Sequence, residues 1–182
     1  MDNKGQRLMV VDFDNTLFFT DVCIKKASKE IVGRALGAKQ VRKLDKKEKR
    51  LILNAAFSKY WKDSIPNRKM LKLLKSNYKK PDMKIIILTA RFSNNKKNTI
   101  KVLSKNNVQY NKLICRESKY RNVHDEEWKL LTLKNIIKTT KAKEVELFED
   151  KRENIAHIAP HMKDIEFASY MVGKESIIAF NK

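Results

Sequence analysis

Val10-Val11-Asp12-Phe13-Asp14-Asn15-Thr16-Leu17 is the stretch on which the reading of the whole chain turns. Leu8 to Val11 is an unbroken apolar run, the pattern of a strand buried on both faces of a parallel sheet. Two carboxylates, Asp12 and Asp14, follow at once. Ionised groups at a buried strand end are costly unless they are paired or bind a metal. Open parallel sheets take their ligands outside the carboxyl ends of the strands. The stretch therefore reads as a buried strand that delivers two acidic groups to a site, with plain turn residues as the competing explanation.

Working outward, the C-terminal part of the chain repeats a strand–helix rhythm after Pro81. Lys84 to Thr89, Leu113 to Cys115, Val145 to Phe148 and Ile165 to Val172 have the length and composition of strands. Between them lie a helix capped by Ser93 that runs through Ile100 and Leu103, and a second carrying Trp128, Leu131 and Ile136. Asp125-Glu126-Glu127 gives that second helix the acidic start its dipole favours. A short third helix holds Ile155 and Ile158 and ends at Pro160. The pattern predicts an α/β fold, a Rossmann-like parallel sheet flanked by helices.

Residues 18–67 fall outside this rhythm and read as a small helical cap inserted after the first strand of a single domain spanning 1–182. Ile24, Ala27 and Ile31 share one helical face, and Gly33 and Gly37 are breaks. Asp45 and Glu48 have the spacing of a capping box. They open a helix expected to turn Leu51, Ile52, Ala55 and Ala56 inward. Pro66 suits the first turn of a further helix bearing Met70, Leu71, Leu74 and Tyr78.

Composition limits what the chain can be. Apolar residues make up 42% and charged residues 34% of 182 positions, the balance of a globular protein. Apolar runs such as Ile85 to Leu88 are too short to span a bilayer, and no signal peptide is expected, because Asp12 and Asp14 interrupt the first apolar stretch. Cys23 and Cys115 form no CxxC pair; free structural thiols in a reducing cytoplasm are the plain expectation. The 41 basic residues exceed the 21 acidic ones to give a formal charge of +20. Such an excess draws polyanions, although a compositional bias toward Lys, Asn and Ile would produce it too. Residues 18–80 carry 19 Lys and Arg against 5 Asp and Glu, and Phe57, Tyr60 and Trp61 interleave with them. That combination suits single-stranded RNA or DNA.

Three strand ends bring reactive groups to the same edge: Asp12 and Asp14, Thr89-Ala90-Arg91, and Glu149-Asp150. Converging carboxylates suit a hard cation such as Mg²⁺. One carboxylate can attack phosphorus while a second transfers protons. Hydroxyls, backbone N–H groups and an ammonium can hold the phosphoryl oxygens.

These segments resemble the four motifs of the haloacid dehalogenase superfamily. Val10 to Leu17 is similar to motif I, Ile86-Ile87-Leu88-Thr89-Ala90-Arg91 to motif II, and Leu147 to Asn154 to motif IV. Lys129 sits where the motif III lysine would. The resemblance implies Asp12 as nucleophile and metal ligand, and Asp14 as general acid/base that also offers its backbone carbonyl to the metal. It implies that Thr89 and Lys129 hold the phosphoryl group, with Lys134 and Arg116 as rivals for the lysine's place, and that Asp150 completes a Mg²⁺ site ahead of Glu149. Arg91 is expected either to bind substrate or to lie on the surface. His124, His157 and His161 have no metal-ligand spacing. The Thr-Ala-Arg and Glu-Asp-Lys-Arg forms are also similar to RNA-repair-associated members and to the phosphatase half of polynucleotide kinases. The function expected is a Mg²⁺-dependent phosphohydrolase acting through an aspartyl-phosphate, on a phosphorylated substrate that includes RNA or DNA ends held by the basic cap. The alternatives are a phosphatase of a small metabolite or nucleotide, a phosphotransferase, and a non-catalytic nucleic-acid-binding module; the presence of both Asp12 and Asp14 argues against the last.

Overall fold

The computed structural model describes residues 6–180. β1 (Arg7–Val11) leads through a tight loop to β2 (Phe18–Phe19). Three helices follow, α1 (Asp21–Val32), α2 (Ala38–Val41) and α3 (Lys46–Ser58). β3 (Ile65–Pro66) then returns and pairs antiparallel with β2. The remaining elements alternate: α4 (Arg68–Tyr78), β4 (Met83–Phe92), α5 (Lys96–Lys105), β5 (Lys112–Arg116), α6 (Asp125–Thr140), β6 (Glu144–Glu149), α7 (Arg152–Ile158), β7 (Glu166–Val172) and β8 (Ile177–Ala179). Among the described residues no helix is long and apolar enough to cross a membrane.

The main sheet runs in the order β5-β4-β1-β6-β7-β8. All its pairings are parallel except β7–β8. β1 is central, and alternate residues serve opposite faces. Met9 and Val11 pack in one buried cluster with Met70, Leu74 and Leu103 from α4 and α5. Leu8 and Val10 pack in the other with Trp128, Leu133 and Ile155 from α6 and α7. Each such side chain contributes about 1.5–3 kcal/mol through burial, which explains why the strand is apolar on both sides.

The helices between β2 and β3 have a separate core of Cys23, Ile24, Ala27, Val41, Ile52, Ala56 and Phe57. Gly33 ends α1 at φ 71°, a left-handed conformation that favours glycine. Gly37 precedes α2, whose Ala38 N–H donates to the Asp21 carboxylate at 2.7 Å. Asp45 caps α3, accepting from the N–H groups of Lys47 and Glu48 at 2.8 and 3.0 Å.

Several local readings change. Pro66 lies in β3 and not in the first turn of α4; Asn67 caps that helix instead, its side chain accepting from Met70 N–H at 3.4 Å. Ser93 opens a 3₁₀ turn, and α5 begins three residues later. β4 continues past Thr89 to Phe92, with a bulge between those residues. β8 adds an antiparallel edge that its three residues, two of them exposed, did not announce. Leu51, Ile100 and Leu131 turn outward, 45%, 37% and 48% exposed. Each stands about 100° round its helix from a buried neighbour, Ile52, Thr99 and Leu130.

Candidate active site

Strand order reverses between β1 and β6, with β4 and β5 on one side of that junction and β7 on the other. Ligand sites in such sheets lie beyond the carboxyl ends of the strands at the reversal. The β1–β6 ladder runs on past the strand end, where the Asp12 N–H donates to Phe148 O at 3.0 Å. Asp12 is thereby set beside Glu149 and Asp150, and one carboxylate oxygen from each lies within 4.8 Å of the others.

Lys129 enters this trio from the first turns of α6. Trp128 and Leu130 anchor the helix in the core on either side of it. Its Nζ donates to Asp12 Oδ1 at 2.6 Å and to Glu149 Oε2 at 2.5 Å, and the residue is 2% exposed. Burial alone would discharge the ammonium; Asp12 and Glu149 overcome it and hold the Lys129 pKa above its ordinary value. Three carboxylates around one ammonium leave an excess of negative charge. Burial raises the Asp12 pKa to about 7, against the attraction of Lys129 and with the repulsion of Glu149 and Asp14. Burial and repulsion from Asp12 and Glu149 raise Asp150 to about 8. Glu149 is buried as well, yet its contact with Lys129 keeps its pKa low. Clustered hard oxygen donors with surplus negative charge fit a divalent cation of the Mg²⁺ type. Asn154, 1% exposed, adds a buried amide beside Glu149 on the same cleft wall.

Asp14 lines the same cavity but is paired with a different cation. The loop after Asp12 reverses at Asn15, whose φ of 62° is left-handed and which, with Asp, tolerates that region better than most residues. The turn is closed by Asn15 N–H donating to Phe18 O at 2.7 Å. Asp14 then meets Arg91, whose Nε donates to Oδ2 at 2.9 Å and whose Nη2 donates to Oδ1 at 2.7 Å. Phe13 and Phe57 cover the guanidinium, their ring centroids 4.3 and 4.0 Å from Cζ.

A cavity of about 1620 Å³ opens over these groups. Asp12, Lys129 and Asp150 line its base, Arg42, Lys46, Lys47, Lys49 and Arg50 one wall, and Arg116, Arg121 and Lys151 another. The Lys46 Nζ reaches Asn122 Oδ1 at 3.4 Å, joining α3 to the loop before α6.

No protein-family model and no curated protein matches the sequence. Solved structures do. A family IA, variant 3 haloacid dehalogenase hydrolase from Entamoeba histolytica is similar with a TM-score of 0.63 at 16% identity, covering 93% of this chain and 85% of that one. A haloacid dehalogenase-like hydrolase from Streptococcus pneumoniae gives 0.60 at 12% identity, covering 89% and 83%. The fold is haloacid dehalogenase-like. A chain of the Pnkp1/Rnl/Hen1 complex gives 0.56 at 17% identity over 94% of this chain, which spans about half of it (48%).

Within the haloacid dehalogenase-like frame, the structure brings Asp12, Lys129 and Asp150 together at one point and adds Glu149, which the sequence placed second to Asp150. Its signal was an acidic residue at the last position of a buried strand. Lys134 is exposed on α6. Arg116 is held by Asp125 at 2.6 Å and by the Tyr120 and Val123 carbonyls. The structure does not bring Thr89 to the cavity: it is fully buried, and its hydroxyl accepts from Arg91 N–H at 3.2 Å. Ala90 and Arg91 line the wall there. Arg91 is neither a surface residue nor a free cation, because its side chain is 0% exposed and bound to Asp14. Cys23 and Cys115 are free and buried, and burial pushes both thiols up.

Proposed function

We propose that the chain is a phosphohydrolase that forms an aspartyl-phosphate on Asp12 and acts on phosphorylated ends of RNA or DNA. What carries the reading is the meeting of Asp12, Lys129 and Asp150 at the base of a cavity whose upper wall is basic. An Asp12 oxygen attacks phosphorus, and the bond from phosphorus to the leaving oxygen breaks. Protonated Asp14 gives its proton to that oxygen and, as the carboxylate, later takes one from water. Lys129 holds a phosphoryl oxygen and Asp12 in one charged contact, since phosphoryl transfer depends mainly on positioning and charge stabilisation. Asp12, the Asp14 carbonyl and Asp150 would hold Mg²⁺, with Glu149 behind them. When bound, Mg²⁺ offsets the repulsion between the nucleophile and the phosphoryl oxygens.

Residues 18–67 act as the cap, and α3 presents its cations to the strand. Similarity to a chain of an RNA repair complex agrees with such a substrate. The deciding experiment is phosphate release from 3′- and 5′-phosphorylated oligonucleotides in Mg²⁺ by wild type and Asp12→Asn. Release by wild type alone supports the reading, and release by neither protein overturns it.

A further inference from the structure

Arg91 is an unusual arginine. Its side chain is entirely buried on the edge of a large basic cavity. The bulge after Thr89 turns it out of the β4 ladder and toward Asp14. A strand without the bulge would send this side chain elsewhere, since bulges re-aim a side chain. The guanidinium then grips both carboxylate oxygens of Asp14, at 2.7 and 2.9 Å. Nη1 reaches Thr99 Oγ1 on α5 at 3.4 Å, which fixes the plane of the fork. Phe13 precedes Asp14 in the loop and covers one side of the guanidinium, while Phe57 of α3 covers it from the cap. The end of α3 is itself tied down, because Asn98 Nδ2 donates to the Phe57 and Ser58 carbonyls at 3.2 and 3.3 Å.

We propose that Arg91 is a positioning residue that aims the Asp14 carboxylate for the second chemical step, and that the cap takes part through Phe57. The proposal rests on the phosphohydrolase reading above. Hydrogen bonds from one rigid fork to both oxygens hold the Asp14 side chain in a single orientation. In that step water loses a proton to Asp14 while its oxygen bonds to phosphorus. The bond from phosphorus to the Asp12 oxygen breaks, and its electron pair returns to the Asp12 carboxylate. Asp14 swinging freely would meet the water less often, whereas the attack of Asp12 on an activated phosphate would be little changed. The same helix that supplies Phe57 lines the cavity with Lys46, Lys47, Lys49 and Arg50, so one element carries both the basic wall and the ring that covers Arg91.

The test uses p-nitrophenyl phosphate, whose leaving group needs little help from an acid. Positioned proton transfer contributes roughly 10²–10⁴-fold, so Arg91→Gln should lower kcat by about 100-fold. KM should fall with it, leaving kcat/KM within about 3-fold of wild type, because kcat/KM reports only the steps through departure of the leaving group. Nitrophenol should appear in a burst, and acid quenching should trap phosphorylated enzyme. Phe57→Ala, which keeps every Arg91 hydrogen-bond partner, should give the same pattern at about one tenth the size, and melting temperatures identify any variant that has not folded. Equal losses in kcat and kcat/KM with no burst, or unchanged kcat in both folded variants, would overturn the assignment to Arg91. No turnover by wild type would instead reject the phosphohydrolase reading on which it rests.

Discussion

Lys129 on α6 and Asp12 at the end of β1 meet at 2.6 Å although 117 positions separate them in the chain. Asp12→Asn should abolish turnover, because an amide is a far weaker nucleophile than a carboxylate. The melting temperature should hold or rise, since the change removes one of three crowded carboxylates. Steady-state assay with thermal unfolding checks both halves, and wild-type turnover with deamidation excluded would sink the mechanism.

Removing the lysine should act on stability first. Lys129→Met leaves Asp12 and Glu149 buried without their cation, a loss of about 3–5 kcal/mol by analogy with other broken buried pairs. Adding Asp12→Asn to that variant should recover part of the loss, because it removes a charge the lysine no longer balances. Urea unfolding of the two single variants and the double variant measures the coupling. Strictly additive effects would mean that the ion pair contributes nothing.

Mg²⁺ should raise the melting temperature of the metal-free protein. A ligand at one hundred times its Kd contributes about 2.7 kcal/mol of stability. Asp150→Asn should weaken the shift. Chelator should stop phosphate release, Mg²⁺ should restore it, and Ca²⁺ should do so poorly because it prefers more ligands in looser geometry. Full activity in excess chelator would remove the metal from the proposal.

Asp125 predicts a pH dependence. Burial opposes its charge, but Lys151 at 2.8 Å and Arg116 at 2.6 Å prevail and hold its pKa below the ordinary 3.8. A depressed folded-state pKa means that the charge stabilises the fold above the unfolded value and ceases to do so as pH falls through the folded one. Asp125→Asn should therefore be less stable than wild type at pH 7, with the gap closing below pH 3.8. Chemical denaturation at both pH values gives the comparison, and a gap that persisted in acid would point to packing.

Salt separates the nucleic-acid reading from the small-metabolite one. Each neutralised single-strand phosphate gives a log–log slope of about −0.7. Affinity for a phosphorylated oligonucleotide should fall steeply with salt, and affinity for an aryl phosphate much less. Neutralising Lys46, Lys47, Lys49 and Arg50 should flatten the oligonucleotide slope. Equal salt dependence for both substrates would reduce these cations to a solvated surface.

The amino-acid sequence by itself determined the parallel strands and the longer helices, because apolar period and capping chemistry are local. Leu8 to Val11 had to be buried on both sides, and the charges after it had to stand at the strand's end. Local pattern also foretold the breaks at Gly33 and Gly37 and the cap at Asp45. It was silent on β8, which exists only because β7 offers it an edge to pair with. Tertiary structure alone decided what each reactive group faces. Parallel pairing of β1 with β6 set Glu149 and Asp150 against Asp12, and the packing of Trp128 and Leu130 aimed Lys129 among them. A bulge of β4, invisible in the composition of Thr89-Ala90-Arg91, buried Arg91 between Phe13 and Phe57 and withdrew Thr89 from the cavity. Contacts of this kind join residues far apart in sequence, and an ionised group's partner is settled only where the chain is folded enough to exclude water.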